Sequence, residues 1–390
     1  MTGSTPKNGV SKEEMYINWQ CTADQYSMYD VNVTTSRSVY TAAGIPNSGI
    51  AGFLDQDGRS NADLNSFGTA KASRLYRNIT SSAYGYGQGR TTAHEAGHQF
   101  GLNHDGGQPG GEYYEGIPAF QWCPIMGNFW FGNAWDHALY QWSKGEYTGA
   151  NRTEDDLVLI KRHVPFAADD IPTTRALKIG STGAVDPKEN FGQINANADI
   201  DVFTFVIAGT NGHITLKLDP IEYIRMLDID ARIVNASGTA VAQSNLAVNR
   251  SASFDVDLPA GAYKLEIKGG AEGTPQRGFS TYSSMGYYAM QGTITGALVG
   301  VPSNDLNTFG LEAYPNPSNG NIRLSFSSKS NDNYIIEVKN TLGQVVYTEK
   351  LNDYAGDYVQ NLDLTTYGRG VYFISLGNSK ESSIKKIITQ

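Results

Sequence analysis

The sequence predicts a multidomain protein in which a mixed α+β domain is followed by two all-β sandwich domains. The chain has 390 residues, which is more than one hydrophobic core usually spans. Helix and strand patterns are mixed only in the first part, whereas short alternating strands without helices fill the rest. Glycine is abundant at 43 residues and tyrosine at 23, a composition typical of short strands joined by tight turns.

The first predicted domain spans residues 1–168. It contains every Trp and all the His except His213, so candidate chemistry is concentrated there. Apolar periodicity, strand alternation and capping residues predict five elements: a helix at Lys12–Met28, strands at Asp30–Thr35 and Gly49–Leu54, a helix at residues 90–101, and a closing helix at residues 153–163 with Thr153 as its N-cap.

The second predicted domain, residues 172–298, is an antiparallel sandwich of short alternating runs. Turn residues at Asn211–Gly212 and Pro259–Gly261 are predicted to separate its strands. Its predicted strands are Asp201–Val206, His213–Leu218, Ala231–Val234 and Ala262–Ile267.

A polar linker at residues 299–310 is predicted to lead into a second, smaller sandwich at residues 311–390. Alternation and β-forming residues again identify its strands. These predicted strands are Ile322–Phe326, Tyr334–Lys339, Gln344–Tyr347 and Val371–Leu376.

Charge argues against a nucleic-acid partner, and hydropathy argues against a transmembrane helix. The formal net charge is −9, and no run of Lys and Arg rises above this acidic background. Nucleic acid is therefore not expected as a partner, because phosphate contacts require clustered positive charge. No apolar stretch approaches the length of a transmembrane helix. The first residues, MTGSTPKNGVSKEEMY, lack the apolar core of a signal peptide, so no signal peptide is expected in this chain.

Two cysteines, Cys21 and Cys123, are too few for a disulfide framework or a Cys-based zinc site. A single bridge between them is one alternative for an exported protein. Two buried thiols are the other.

The segment from His94 to Asp105 has the sequence HEAGHQFGLNHD. Residues four apart on a helix lie on one face about one turn apart, so His94 and His98 can present imidazole nitrogens to one ion. Glu95 lies beside them and can reach a metal-bound water without ligating the metal, as in H-E-x-x-H hydrolases. The spacing therefore predicts a metal site in which Glu95 is the general base.

A third ligand six residues beyond His98 requires the helix to end and the chain to turn. Gly101 lies where this turn is needed, and glycine tolerates the positive φ that a helix end often adopts. The turn can return His104 to the ion. Three neutral imidazoles with one water form an open, tetrahedral zinc site of the catalytic type, so Zn²⁺ held by His94, His98 and His104 is predicted.

Less specific interpretations of these histidines and their neighbours stay open. Thr92 and Glu95 also fit a capping box, which would make Glu95 a helix-end residue beside inert histidines. The remaining histidines each stand alone and are expected to be ordinary core or surface residues: His137, His163 and His213.

The extended motif resembles the zinc signature of the metzincins, and Asp105 directly after it resembles the reprolysin or adamalysin branch. That family carries a Met-turn beneath the zinc, and the later segment CPIMG gives Met126 this structural role by resemblance. Astacin-like and serralysin-like members have a Tyr ligand two residues after the Met, where this chain has Asn128; a three-His site is therefore favoured. The resemblance covers about residues 12–165, and the family's first strand has no counterpart, so the predicted metzincin-type catalytic domain is N-terminally incomplete.

The second predicted domain resembles bacterial pre-peptidase C-terminal domains, which accompany secreted proteases. The resemblance is carried by ADIDVFTF from Ala198 and PAGAY from Pro259. Four acidic residues in this domain are candidate Ca²⁺ ligands, with ordinary turn chemistry as the alternative: Asp199, Asp201, Asp228 and Asp230.

The last domain resembles the C-terminal sorting domain of the type IX secretion system. The segments that carry the resemblance are YPNPSNG from Tyr314, NTLGQ from Asn340 and GRGVYFI from Gly368. The resemblance implies the type IX secretion machinery as a partner, and a secreted or cell-surface location in a Bacteroidetes-type bacterium. It also implies that this region is removed after export.

Together these patterns predict a secreted zinc metalloendopeptidase that hydrolyses peptide bonds in protein or peptide substrates. Its specificity pocket is expected around Tyr113–Phe131. Two alternatives are an inactive zinc-binding relative that acts as a surface binding or adhesion protein, and a surface adhesin with a purely structural metal site.

Overall fold

A computed structural model describes twelve stretches of the chain, which are residues 11–42, 52–55, 61–69, 75–78, 86–107, 111–128, 138–221, 223–246, 250–297, 309–340, 345–378 and 382–390. The chain divides into two compact units. Unit 1 comprises Met1–Leu177 and Ala184–Ala297, and unit 2 comprises Lys178–Gly183 and Leu298–Gln390. Within the described residues the protein is mostly β-sheet with a few helices.

In its described residues, the N-terminal part of unit 1 contains four α-helices and two small parallel sheets. The helices are α1 (Lys12–Gln25), α2 (Arg37–Ala42), α3 (Tyr86–Gln99) and α4 (Asp156–Lys161). The strands are β1 (Gly52–Asp55), which pairs with β2 (Leu75–Asn78), and β3 (Trp122–Pro124), which pairs with β4 (Leu139–Gln141). Of the second predicted strand, residues 52–54 lie in β1 and residues 49–51 lie outside the described residues.

Helix α1 begins with a capping box and ends before the predicted residue Met28. The Ser11 backbone N–H donates to Glu14 Oε2 at 2.6 Å, and the Glu14 N–H donates to Ser11 Oγ at 3.1 Å; this reciprocal pair satisfies two free amides of the first turn. The strand predicted at Asp30–Thr35 is wrong. Separate hydrogen bonds take the place of strand pairing in this segment. The Asp30 N–H donates to Pro165 O, and Val33 O accepts from the Trp19 indole.

Helices α1 and α3 pack closely where both carry small residues. A Cβ at Gly89 would lie 2.2 Å from Cys21 Cβ, so only glycine allows this approach. The Thr22 hydroxyl donates to Gly89 O, and the Tyr26 hydroxyl donates to Ala93 O at 2.9 Å. Cys21 and Cys123 are both buried and free, so the structure has two buried thiols and not the bridge.

The rest of unit 1 is an eight-stranded sheet, with its main strand order β10-β9-β11-β8-β12-β6. Strand β5 pairs in parallel with β8, and β7 pairs with β12. The strands are β5 (Thr174–Ala176), β6 (Ala184–Val185), β7 (Phe191–Ile194), β8 (Asp201–Pro220), β9 (Ile229–Asn235), β10 (Ala240–Ser244), β11 (Ala252–Gly269) and β12 (Gly286–Ile294).

The turns predicted inside this sheet are wrong, because β8 and β11 run through them as long strands. Asn211 pairs with Pro259, and the register shifts between Pro259 and Gly261. A Cβ at Gly212 would lie 2.4 Å from Thr295 O. Gly212 therefore permits a close backbone approach within a strand, a role that sequence alone does not separate from a turn.

Unit 1 has a hydrophobic core to which both predicted segments contribute. Met126 and Trp142 belong to the same buried cluster as Met226 and Tyr282. The Gln141 side-chain amide donates to Met226 O at 2.5 Å, crossing between the segments. The boundary predicted at residues 168–172 therefore lies inside one compact unit.

Unit 2 contains a five-stranded sheet in which β15 pairs with β14 and the other strands follow the order β13-β14-β16-β17. Its strands are β13 (Glu312–Tyr314), β14 (Asn321–Asn340), β15 (Val345–Asp363), β16 (Gly370–Gly377) and β17 (Ser382–Thr389). The predicted strands fall within β14, β15 and β16, apart from Gln344, which lies outside the described residues, as do residues 299–308 of the predicted linker. The core is apolar, with Leu324, Ile336 and Ile374 fully buried.

Candidate metal centre

Helix α3 positions three of the four predicted site residues. It begins at Tyr86, so Thr92 lies inside the helix and the capping-box interpretation of Glu95 is wrong. His94 and Glu95 are each 5% exposed, and His98 lies one turn further along the helix. The opposite side of α3 packs into the core through Ala93 and other apolar residues.

The chain leaves α3 through a glycine-dependent turn that returns His104 to the helix. Gly101 has a φ of +97°. The Leu102 N–H donates to Gly97 O at 3.1 Å, and the Gly101 N–H donates to His98 O at 2.9 Å. These are the two hydrogen bonds of a Schellman motif. Glycine is preferred at its positive-φ position because it has no Cβ.

The three histidines converge as their spacing predicts. One ring nitrogen from each of His94, His98 and His104 lies within 4.8 Å of the others. The Nε2 atoms of His98 and His104 are 3.0 Å apart. A single ion can therefore contact all three imidazoles.

The second nitrogen of each ring is occupied by an oxygen acceptor. His94 Nδ1 is 2.8 Å from Ile125 O, and His98 Nδ1 is 2.7 Å from Leu102 O. His104 Nδ1 is 2.9 Å from Glu112 Oε1. An Nδ1–H that donates to such an oxygen leaves the Nε2 lone pair for a metal and orients the ring, which is the usual arrangement around metal-binding histidines.

These tautomers provide a test of whether the site fits a cation. With Nδ1 protonated on both rings, His98 and His104 direct lone pairs at each other across 3.0 Å. This arrangement is repulsive unless a cation or an additional proton lies between them. Three nitrogen donors with oxygen-bound Nδ1 atoms match the preferences of Zn²⁺, so the residues present fit the predicted ion.

Burial keeps the imidazoles in the form that binds metals. Burial is the main cause that lowers the pKa of His94 to about 3, and the neighbouring His98 contributes to the same shift. Burial also lowers the pKa of His98. Both rings are therefore neutral at neutral pH, and neutral imidazole is the ligand form.

Met126 lies directly against the helix that carries the histidines. It is fully buried, and a Cβ at Gly97 would lie 2.7 Å from its sulfur. The Asp105 N–H donates to Met126 O at 2.9 Å, and the preceding Ile125 holds His94. This placement agrees with the supporting role that the resemblance gives to Met126.

The turn that leads into His104 is supported by Glu154, which lies just before helix α4. Glu154 accepts hydrogen bonds from the Asn103 backbone at 2.6 Å and from its side chain at 3.0 Å. The predicted N-cap Thr153 is wrong. Helix α4 is capped by Asp155, whose side chain accepts from Val158 N–H at 3.0 Å.

Two further residues lie beside the triad; Glu112 was not found from the sequence, and Tyr113 was named only as one end of the expected specificity segment. Glu112 binds His104, and the ring of Tyr113 lies 4.2 Å from the His104 ring. Burial raises the pKa of Tyr113, and the charges of Glu112 and Glu95 raise it further. Neither residue belongs to a motif, so their position beside the triad could be identified only from the path of the loop in the structure. Residues 129–131 of the expected specificity segment lie outside the described residues.

The remaining histidines are not part of the triad where the structure describes them. His163 packs against Phe67 and Phe100. His213 lies on β8, with its ring nitrogens 2.8–3.2 Å from acidic side chains of β11. His137 lies outside the described residues.

The four acidic residues predicted as Ca²⁺ ligands are divided between different surroundings. Asp199 and Asp201 lie together with Asp169. Asp228 is fully buried at a different place, and its carboxylate interacts with Arg250. Asp230 is 3.3 Å from Lys268.

Known protein families match the N-terminal and the C-terminal regions of the chain. Residues 3–105 match the family described as Metallo-peptidase family M12B Reprolysin-like. Residues 312–390 match the Secretion system C-terminal sorting domain. These two recognitions from the sequence are confirmed, whereas the pre-peptidase resemblance of the central region stays a prediction. No curated protein matches the chain significantly.

Solved structures resemble parts of the chain only weakly. A structure titled "Biofilm associated protein - BSP domain" is 15% identical over 45% of this chain, with a TM-score of 0.17. A β-glucuronidase from Parabacteroides merdae is 11% identical over 48%, with a TM-score of 0.18. One from Ruminococcus gnavus is 8% identical over 54%, with a TM-score of 0.16. This chain covers only 27%, 27% and 39% of these structures, and such low TM-scores carry no argument.

The sorting-domain match implies a secreted or cell-surface protein. In the described part of the chain, every helix is too short or too polar to cross a membrane.

Proposed function

We propose that this chain is a secreted zinc endopeptidase whose metal is held by His94, His98 and His104 and whose general base is Glu95. The reprolysin-like match supports a metallopeptidase at the level of the family. The observation that carries the specific proposal is the convergence of three imidazole nitrogens within 4.8 Å, with Glu95 on the same helical turn as His94.

The side chains of the site supply an open position for catalysis. Zn²⁺ would be held by the three neutral imidazoles, a donor set that leaves room for solvent or substrate. The chemistry supplied by Zn²⁺ held there is activation of water and polarisation of the scissile carbonyl. The three Nδ1 hydrogen bonds fix the ring orientations before substrate binds, so little reorganisation accompanies the reaction.

Glu95 moves the proton in this proposal. Its carboxylate accepts a proton from the attacking water and delivers it to the nitrogen of the leaving amine. Glu95 is 5% exposed, and its charge acts on Tyr113, whose ring lies 4.2 Å from the His104 ring. A buried carboxylate next to the reacting water is the geometry that this role requires.

Replacing Glu95 tests the proposal directly. We expect Glu95→Gln to reduce casein hydrolysis at least about 100-fold, because glutamine cannot accept the proton. Zinc content, measured by metal analysis of the purified protein, should stay at one ion per chain. Glu189→Gln, an exposed change in unit 1, is the matched control and should keep full activity.

Two outcomes would contradict the proposal. Full activity in Glu95→Gln would remove Glu95 from the reaction. A wild-type protein that binds one zinc and hydrolyses neither casein nor a peptide library would support the inactive, zinc-binding alternative. The family match does not favour that alternative. Chelator-sensitive hydrolysis by the wild type is the expected result.

The sorting-domain match supplies the route of export. Residues 312–390 would direct the chain to the type IX secretion machinery, and protein or peptide substrates would be met outside the cell. In this proposal the peptidase region comprises residues 1–168. The region at 172–298 is a pre-peptidase C-terminal-like module that shares the core of unit 1.

A further inference from the structure

Three carboxylates meet at a place in unit 1 that the proposed peptidase chemistry does not use. Asp169 follows helix α4, and Asp199 and Asp201 stand at the start of strand β8. One oxygen from each lies within 4.8 Å of the others. Three like charges at this separation repel one another unless a cation or protons lie between them.

Asp201 carries the observation that points to a ligand. Its side chain is fully buried, and its Oδ2 accepts a hydrogen bond from the Tyr288 hydroxyl at 2.5 Å. Its Oδ1 is buried and has no hydrogen-bond partner among the described residues. A buried carboxylate oxygen without a partner is costly, and Asp201 belongs to a cluster that contains two more carboxylates.

The other two carboxylates are held in place by backbone amides. Asp199 Oδ2 accepts from Asn195 N–H at 2.8 Å, and Asp169 Oδ1 accepts from Ile171 N–H at 2.7 Å. Each carboxylate has a second oxygen that can bind a cation. These amides orient the exposed Asp169 and the half-buried Asp199, and Asp201 is held by burial and by Tyr288.

Nearby positive charge is used elsewhere. Arg175 lies 3.5 Å from Asp170, and among the described residues it is not within ion-pairing distance of the three carboxylates. Burial raises the pKa of Asp201 to about 8, with Asp199 and Asp170 adding to the shift. Among the described residues, these three carboxyl groups therefore lie together without a Lys or Arg side chain paired to any of them.

We propose that Asp169, Asp199 and Asp201 form a Ca²⁺ site. All donors are oxygens, which suits a hard cation and not Zn²⁺. Ca²⁺ takes six to eight oxygen ligands in flexible geometry, so three carboxylates leave positions for backbone oxygens and water. Asp201 Oδ1 would gain the partner that the fold does not give it.

The site would stabilise unit 1 and take no part in peptide hydrolysis. It joins the segment after α4 to the start of β8, where the Asn195 side chain also donates to Ala167 O at 3.1 Å. Extracellular modules bind Ca²⁺ with dissociation constants on the order of 0.1–1 mM. This proposal is independent of the zinc site, because it concerns different ligands and a different readout.

Calcium titration of the full zinc-loaded chain tests the proposal. Tryptophan fluorescence follows unit 1, because every Trp lies in residues 1–168. From Ca²⁺-free buffer, saturating CaCl₂ should raise the unfolding temperature of unit 1 on the order of 5 °C. Tb³⁺ should bind in place of Ca²⁺ and show luminescence sensitised by Tyr288, whose hydroxyl is hydrogen-bonded to Asp201.

Matched substitutions locate the response. Asp199→Asn and Asp201→Asn should abolish the Ca²⁺ shift and the Tb³⁺ signal. In Ca²⁺-free buffer both should be at least as stable as the wild type, because each removes like-charge repulsion. Asp257→Asn, an exposed change next to His213 on the same sheet, should keep the full response. His98→Ala should also keep it, which separates this site from the zinc proposal.

Three results would overturn the assignment. A wild type without a Ca²⁺ shift or Tb³⁺ luminescence has no such site. Full responses in Asp199→Asn would place the ion elsewhere, and this half-buried position decides the matter if Asp201→Asn fails to fold. An equal shift with MgCl₂ at the same concentration would show that the site is not one for Ca²⁺.

Discussion

Units 1 and 2 bury very different side chains. Among the described residues of unit 2, the buried polar side chains are serine and threonine, and its core is otherwise aliphatic and aromatic. Among its described residues, unit 1 buries nine acidic, arginine or histidine side chains in addition to its apolar core: Asp24, Arg90, His94, Glu95, Asp105, Asp156, Asp201, Asp228 and Arg250.

This difference distinguishes unit 1, which contains the proposed metal sites, from unit 2, which matches a sorting domain. A buried charge costs free energy unless it is paired, protonated or bound to a metal. Unit 1 contains the histidine triad, the carboxylate cluster and several other buried acids, so it includes groups whose burial is unfavourable without a partner. Unit 2 matches a sorting domain, and it requires only a stable surface that the secretion machinery can recognise. The comparison can be tested by changing one residue in each unit.

The largest expected effect is the pH dependence caused by Asp228. Arg250 attracts the carboxylate of Asp228, but it already lies 3.2 Å from Glu272, and burial of Asp228 outweighs this attraction. Burial raises the pKa of Asp228 from 3.8 to about 7. The folded state therefore binds the proton more tightly, and stability rises as pH falls from about 7 toward 3.8. Relative to Asp228→Asn, the wild type should gain about 4 kcal/mol across this range.

Urea unfolding followed by tryptophan fluorescence at several pH values measures this difference. Unit 2 supplies a control of opposite sign, because hydrogen bonds from Thr365 lower the pKa of Asp363. That contribution is present at neutral pH and is lost as pH falls through the lowered pKa. Far-UV circular dichroism of the wild type and Asp363→Asn should show this loss, because unit 2 contains no Trp. A constant difference between wild type and Asp228→Asn at every pH would contradict the prediction.

The second prediction concerns whether unit 1 unfolds as one piece. Met226 is fully buried in the core that contains Met126 and Trp142, although it lies in the region that the sequence assigns to a separate sandwich. Met226→Ala should lower the unfolding free energy of unit 1 by about 3 kcal/mol through the lost burial and the cavity left behind. Zinc should be released in the same transition.

Ile374→Ala is the matched change in unit 2, where Ile374 is also fully buried. It should lower the stability of unit 2 by a similar amount and leave the tryptophan transition unchanged, because unit 2 contains no Trp. A Met226→Ala protein whose zinc-binding region unfolds as in the wild type would show that the two segments fold separately.

The sequence predicted the parts of the site that are close along the chain. The spacing of His94 and His98 follows from the helical repeat, and Gly101 follows from the need for a turn. Each depends on a few neighbouring residues, which is why the pattern was sufficient. Glu112 and Tyr113 are brought to the site by the path of a loop, and no local period encodes that path.

The same limit explains the errors in the fold. Alternation at Asp30–Thr35 predicts a strand, but that segment has no strand partner in the described residues, and pairing depends on distant residues. Glycine at position 212 predicts a turn, whereas the structure uses it where Thr295 approaches. The acid trio was missed as a set because Asp169 is 30 residues from Asp199 in the sequence.

The smallest predicted effect tests whether the glycine turn serves the metal and not merely the helix. Gly101 has a φ of +97°, which costs a residue with a side chain about 1–2 kcal/mol. Gly101→Ala should therefore weaken zinc binding about tenfold, because relieving the strain displaces His104 and about 1.4 kcal/mol corresponds to a factor of ten. Competition with a chromogenic chelator measures this affinity.

Gly356 in unit 2 supplies the control. It has a comparable φ of +111° and open space around it, so Gly356→Ala imposes similar strain without contacting any histidine. That variant should lose stability in unit 2 and bind zinc normally. If both variants bind zinc as the wild type does, the positive φ at Gly101 is a requirement of the helix end alone, and His104 is held by Glu112 and the loop.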